Sequence, residues 1–135
     1  MTNYQLTLDA PRTIFRAYDI RGITPDELNE NVAYTIAMAL GGLLHELELT
    51  SVILAADGRL TSPALFRAVQ QGLCDSGLQV ITIGAVPTPV LYFATKTLST
   101  NSGIIITGSH NPAEYNGLKI VIAGKTLTEN AIQSI

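Results

Sequence analysis

The sequence is poor in cysteine and in charge, and it has no long uninterrupted apolar run. Cys74 is the one cysteine, which excludes an internal disulfide framework and fits a reducing compartment. Charged residues make up 14% of the chain, against about 25% in ordinary globular proteins. A small domain needs charge to cover its surface, so the shortfall suggests that part of this surface is normally covered by a subunit or by further domains. The eight Lys and Arg are scattered and the net charge is −3. Without a basic stripe or aromatic–basic interleaving, a nucleic-acid partner is not expected. The longest apolar segment, residues 32–44, is too short to span a bilayer and carries Tyr34, Thr35 and two glycines, so no membrane partner is expected. The opening "MTNYQLTLDAP" lacks a basic region followed by an apolar stretch, unlike a secretory signal. These absences point to a cytoplasmic soluble domain.

With 135 residues, 47% of them hydrophobic, the chain is long enough for one domain with a real core. "TIFRAYDIRGI" (13–23) reads as a short strand and a turn. "TPDE" (24–27) has the form of a capping box, with Asn29 a rival helix start one turn later. Leu28, Val32, Ile36, Leu40, Leu43, Leu44 and Leu47 then recur at helical spacing to about residue 48. "SVILAA" (51–56) is a near-continuous apolar run, as in a strand buried on both faces. Ser62 before Pro63 caps a second helix carrying Leu65, Phe66, Val69, Leu73 and Cys74, the last read as core, and Gly77 stops it. "QVITIGA" (79–85) reads as another buried strand, and "VLYFATKTL" as a shorter helix. "SGIIIT" (102–107) and "GLKIVIA" (117–123) are the last two strands, and Thr126 with Glu129 caps a final helix.

Buried strands alternating with helices imply parallel βαβ units with right-handed crossovers. The last two strands are joined by only about ten residues, too few for a parallel crossover, so the final strand runs antiparallel. The expected fold is α/β: three layers, α/β/α, with a mixed four-stranded sheet whose last strand is antiparallel.

In open α/β sheets, ligands bind beyond the carboxyl ends of the parallel strands, near a switch in strand order. Three loops leave those ends: "ADGRLTSP", "AVPTP" and "TGSHNPAEYNG". The last holds Ser109 beside His110. Such a loop is often only turn chemistry, so a plain hairpin competes with a functional role. A Ser/His hydrolase fits poorly: adjacent side chains diverge, and "TGSHN" lacks the G-x-S-x-G elbow. There is no G-x-x-x-x-G-K-[ST], and no G-x-G-x-x-G after the first strand. With His45 in a helix, His110 in a loop and no acidic cluster, the chain cannot supply three convergent metal ligands by itself. A phosphate-carrying serine remains. It needs an exposed loop, backbone donors, a nearby cation and a proton acceptor. Ser109 after Gly108 offers the first two. Lys119 is the candidate cation, with a solvated edge charge as the competing reading.

"TGSHNPAEYNGLKI" resembles the active-site serine loop of the α-D-phosphohexomutases. "FRAYDIRGI", "ADGRLTSP" and "VPTPVLYFAT" stand in the same order as in the phosphomannomutase/phosphoglucomutase branch, so the resemblance covers residues 13–135. It implies that Ser109 carries a phosphoryl group, exchanged between the 1- and 6-positions of a mannose or glucose phosphate through a bisphosphorylated sugar. It implies Mg²⁺ bridging the Ser109 phosphate, Lys119 as general acid or base, and His110 in the catalytic loop. Asn111, Tyr18 and Arg21 match substrate-binding positions. Packing for Tyr18 and a salt bridge for Arg21 are the competing structural roles, and Asp57 with Arg59 resembles a loop-bracing pair.

The resemblance reaches only the first of four domains. The acidic D-G-D-x-D metal loop, the sugar-reading loop and the phosphate-binding loop belong to the others and are absent from this sequence. The expected organisation is one domain, residues 1–135, with a flexible segment at 1–12 and the remaining domains as partners. By itself this piece is expected to be inactive and to bind Mg²⁺ weakly. The alternative is a non-catalytic phosphosugar-binding or interaction module with the same fold.

Overall fold

A computed structural model describes residues 4, 6, 7, 14, 20–23, 28–57, 62–85, 102–107, 115–122 and 125–126. Of Arg21, Ile23, Ala85, Tyr115, Lys125 and Thr126 it describes the backbone alone. The elements run β1 (Ile20–Ile23), α1 (Glu30–Glu46), β2 (Ser51–Ala56), α2 (Ser62–Asp75), β3 (Gln79–Ala85), β4 (Gly103–Ile106), β5 (Tyr115–Ile122) and β6 (Lys125–Thr126).

The apolar run Val52–Ala56 forms the centre of the sheet and is buried throughout. β2 pairs in parallel with β3 on one side and β4 on the other, and β4 pairs antiparallel with β5. These four strands are the mixed sheet expected from the sequence. Two short strands extend it to six: β1 and β6 both lie antiparallel along the outer side of β5, β1 against Tyr115–Leu118 and β6 against Val121–Ile122. Among the described residues β3 ends the sheet on the opposite side, and its partial exposure corrects its reading as a buried strand. Val80, Ile81 and Ile83 are only half-buried, and Gln79 and Thr82 are exposed. β3 also carries one extra residue, Ile83, where the register shifts between Leu54 and Ala55.

Strand alternation divides the core. Val52, Leu54, Ile104, Ile106, Leu118 and Ile120 face α1 and α2. Ile53, Ala55 and Ile105, on the opposite face, are also fully buried. The chain passes from β2 out to β3, then returns across β2 to β4. The connection from β3 to β4 lies outside the described residues. The helices expected at 90–98 and after Thr126 lie outside the described residues; Thr126 itself is in β6.

The helix start resolves in favour of Asn29, not Thr24. Asn29 is extended and its Oδ1 accepts from the Val32 amide at 2.9 Å, so it caps α1 at Glu30, while the capping-box residues 24–27 lie outside the described residues. Leu47, expected in the apolar stripe, is exposed at the C-cap. α1 packs closely on α2 at Gly72, where a Cβ would come within 2.8 Å of the Tyr34 carbonyl and 2.7 Å of the Ala37 methyl. Cys74 is exposed, correcting its assignment to the core. The buried stripe of α2 runs through Leu65, Ala68, Val69, Gly72 and Leu73, and Cys74 is turned about 100° from Leu73. In the segment expected to be flexible, Tyr4 stacks on Tyr34 with centroids 5.5 Å apart, and the Thr7 amide donates to Thr35 Oγ1 at 3.0 Å.

Both helices end in the same hydrogen-bond pattern. In α1, Leu49 N–H donates to Leu44 O and Glu48 N–H to His45 O; in α2, Leu78 N–H donates to Leu73 O and Gly77 N–H to Cys74 O. Each is a Schellman turn needing a left-handed residue. Gly77 fills that position at φ +93, whereas Glu48 fills it at φ 60. At this pole the Tyr34 hydroxyl and Gln71 Nε2 donate to the two Asp75 carboxyl oxygens, each at 2.7 Å. The Tyr34 bond first, then the Gln71 bond, hold this exposed carboxyl below its ordinary range.

Candidate active site

β4 is the strand from which the serine loop departs, and its carboxyl end is fastened on both sides. The Asp57 amide, just past β2, donates to the Ile106 carbonyl at 2.8 Å, and the Thr107 amide donates to the Gly117 carbonyl of β5 at 2.9 Å. Because the chain turns back between β3 and β4, the switch in strand order lies between β2 and β4, where an open α/β sheet forms its ligand crevice. Asp57 and Thr107 mark its two sides.

Beneath that edge runs a chain of polar side chains in a mostly apolar interior. Ser62, the first residue of α2, and Asn116, in β5, are both fully buried. Ser62 Oγ donates to Asp57 Oδ1 at 2.5 Å, within the range of a charge-assisted bond to a carboxylate. Asn116 Nδ2 donates to Ser62 Oγ at 3.0 Å, and Asn116 Oδ1 accepts from the Gly117 amide at 2.9 Å. Leaving a buried polar group without its partner costs about 1–3 kcal/mol, so these three side chains fix one another's positions.

Of the six residues read from the sequence as catalytic or substrate-binding, the structure locates two. Lys119 is half-buried and lies opposite Ile105. Its neighbours Leu118 and Ile120 belong to the core under the helices, so Lys119 stands on the other face. It occupies the interval between the β1 and β6 pairings on the outer side of β5. The backbone of Arg21 lies opposite Gly117, two positions along β5 from Lys119. Adjacent strands thus bring Arg21, Lys119 and the end of β4 together at one part of the sheet. Ser109, His110, Asn111 and Tyr18 lie outside the described residues, as does Arg59. The expected Asp57–Arg59 pair therefore falls outside the described residues, and the partner seen for the Asp57 carboxyl is Ser62.

Ser62 and Asn116 escaped the sequence reading, which took Ser62 as a cap and Asn116 as part of the turn. The available signal was the face of β5. Residues 116, 118, 120 and 122 share one side of the strand, three of them apolar and buried, and an asparagine on that side demands a buried partner. Among the described residues no three His, Cys, Asp or Glu side chains converge, so these residues do not by themselves form a Mg²⁺ site. No helix among them is long and apolar enough to cross a membrane.

Residues 12–135 match the family described as phosphoglucomutase/phosphomannomutase, alpha/beta/alpha domain I. A phosphomannomutase/phosphoglucomutase of Pseudomonas syringae pv. tomato is 50% identical over 125 residues, 93% of this chain and 27% of the relative. A phosphoglucomutase of Neisseria gonorrhoeae is 46% identical over 92% of this chain and 27% of its own length. The chain thus spans about a quarter of the curated relatives it matches. The crystal structure of a phosphoglucomutase/phosphomannomutase family protein from Burkholderia thailandensis superposes with a TM-score of 0.89 at 41% identity, covering 92% of this chain and 29% of that one. The match over residues 12–135, the superposition and this level of identity lead to one assignment: the chain belongs to the phosphoglucomutase/phosphomannomutase family, as its α/β/α domain I.

Proposed function

We infer that this chain is the phosphoserine-bearing first domain of a four-domain phosphohexomutase acting on mannose or glucose phosphates. The observation that carries this reading is the position of the β4–β5 connection. It leaves the carboxyl end of a central parallel strand beside the switch point, with Lys119 and Arg21 on the neighbouring strands. In the proposed reaction the bond between phosphorus and Ser109 Oγ breaks as a bond forms to the free sugar hydroxyl. Lys119 accepts the hydroxyl proton, and the departing Ser109 oxygen is protonated in its turn. The bisphosphorylated sugar turns over, and Ser109 accepts the other phosphoryl group. His110 and Asn111 line the loop, and Tyr18 and Arg21 hold the substrate. Mg²⁺, when bound, supplies charge compensation at the transferring group, its carboxylate ligands coming from an acidic loop of another domain.

The test is Ser109→Ala in the full-length protein, assayed for interconversion of hexose 1- and 6-phosphates. Activity should fall by at least about a thousandfold, as when a covalent nucleophile is removed. Unchanged activity would favour a non-catalytic module with the same fold.

A further inference from the structure

We propose that Asp57, Ser62 and Asn116 are positioning residues that set the geometry of the serine loop for phosphoryl transfer. The proposal rests on the reading of Ser109 as the phosphoryl carrier, but its structural part stands on the hydrogen bonds alone. In the sheet order, β2 and β5 flank β4 on either side. Asp57 follows β2, Asn116 lies in β5, and Ser62 at the start of α2 joins them through bonds of 2.5 and 3.0 Å. The chain of side chains therefore ties together the two neighbours of the strand from which the loop leaves.

The two ends of the loop meet this tie directly. The outgoing end is held where Thr107 N–H donates to the Gly117 carbonyl, and Asp57 N–H donates to the carbonyl of Ile106, one residue earlier. The returning end is held where Asn116 Oδ1 accepts from Gly117 N–H. Gly117 is thus bonded through both its amide and its carbonyl, one to the buried tie and one to Thr107. An apolar trio would seal the same space without directional preference. Hydrogen bonds fix angles as well as distances, and in-line transfer is sensitive to displacements of about 1 Å.

A tie that orients the loop acts on turnover, while substrate affinity comes from other parts of the site. In the full-length enzyme, Ser62→Ala removes one oxygen and keeps a good helix former, so the fold is retained. Asn116→Asp keeps the shape of the side chain and replaces the donor facing Ser62. Each variant should lower kcat by about 10- to 100-fold, with KM within about threefold of the parent. Amide exchange at Thr107 and Gly117 should quicken by at least about tenfold, and the double variant should be no slower than the worse single one, as expected of residues acting as a unit. Unchanged kcat alongside a lowered melting temperature would overturn the proposal, as would a change confined to KM or unaltered exchange at both amides. If Ser109→Ala remains active, the phosphoserine reading fails. The exchange measurement still decides whether the tie holds the loop ends.

Discussion

The two poles of this domain use similar polar side chains to opposite effect. At the carboxyl ends of the parallel strands, Ser62 and Asn116 are fully buried and join three elements through Asp57. At the pole where both helices end, Tyr34, Gln71 and Asp75 form bonds of comparable length around an exposed carboxyl, and His45 Nε2 donates to the Ser76 carbonyl at 2.6 Å. Bond length does not distinguish the two; water does. An exposed group exchanges a protein partner for solvent at little cost, whereas a buried one that loses its partner bears the desolvation penalty in full. The buried network also lies at the edge of the sheet from which the serine loop departs, so the costly polar interior coincides with the region where the proposed function would place the chemistry.

The sharpest way to break this comparison is Asn116→Ala. It leaves the Ser62 hydroxyl without its donor and opens space in a sealed interior. The expected loss is about 2–3 kcal/mol, read as a lowered denaturant midpoint with unchanged slope. Next is Glu48→Gly at the opposite pole. Glu48 sits at φ 60 where Gly77 fills the equivalent turn, so glycine there should raise stability by about 1 kcal/mol by the same measurement. The smallest effect is expected from Tyr34→Phe, which keeps the ring against Tyr4 and removes only the bond to Asp75. At neutral pH the melting temperature should fall by no more than about 2 °C. Its pH dependence has a definite sign. Because the folded Asp75 carboxyl titrates below its unfolded counterpart, the contact supports the fold above the unfolded pKa. That support is lost as pH falls through the folded pKa, so the difference between parent and variant should begin to shrink below about pH 4 and vanish only once the folded carboxyl is itself protonated. A Tyr34→Phe cost as large as that of Asn116→Ala would remove the distinction between the poles.

Much of the fold was legible because periodicity reports burial. The run at 51–56 is fully buried from Val52 onward, and the short link after Ile106 forces β5 antiparallel. What was not legible depended on long-range position. "QVITIGA" resembles a central strand, and only the sheet order reveals it as an edge. The segment at 13–23 reads as a short strand, and 20–23 is one, but its place beside β5 is set by a pairing that the segment itself does not announce. Cys74 follows Leu73 in an apolar-looking helix, yet one residue of rotation carries it to solvent. At the candidate site, Lys119 and Arg21 could be named from the sequence, but their approach through β5 required strand register. Asn116 was hidden because Asn-Gly reads as a turn; here it is strand, and its side chain belongs to the interior.

The central claim is that the loop fastened by this network carries the phosphoryl group on Ser109. Intact-mass analysis of the full-length protein, purified from cells and compared with Ser109→Ala, tests it most directly. The account predicts a species bearing one added phosphate, discharged by excess hexose phosphate and absent from the variant. A phosphate that persists in Ser109→Ala, or a protein that takes up none when incubated with a hexose 1,6-bisphosphate, would contradict it.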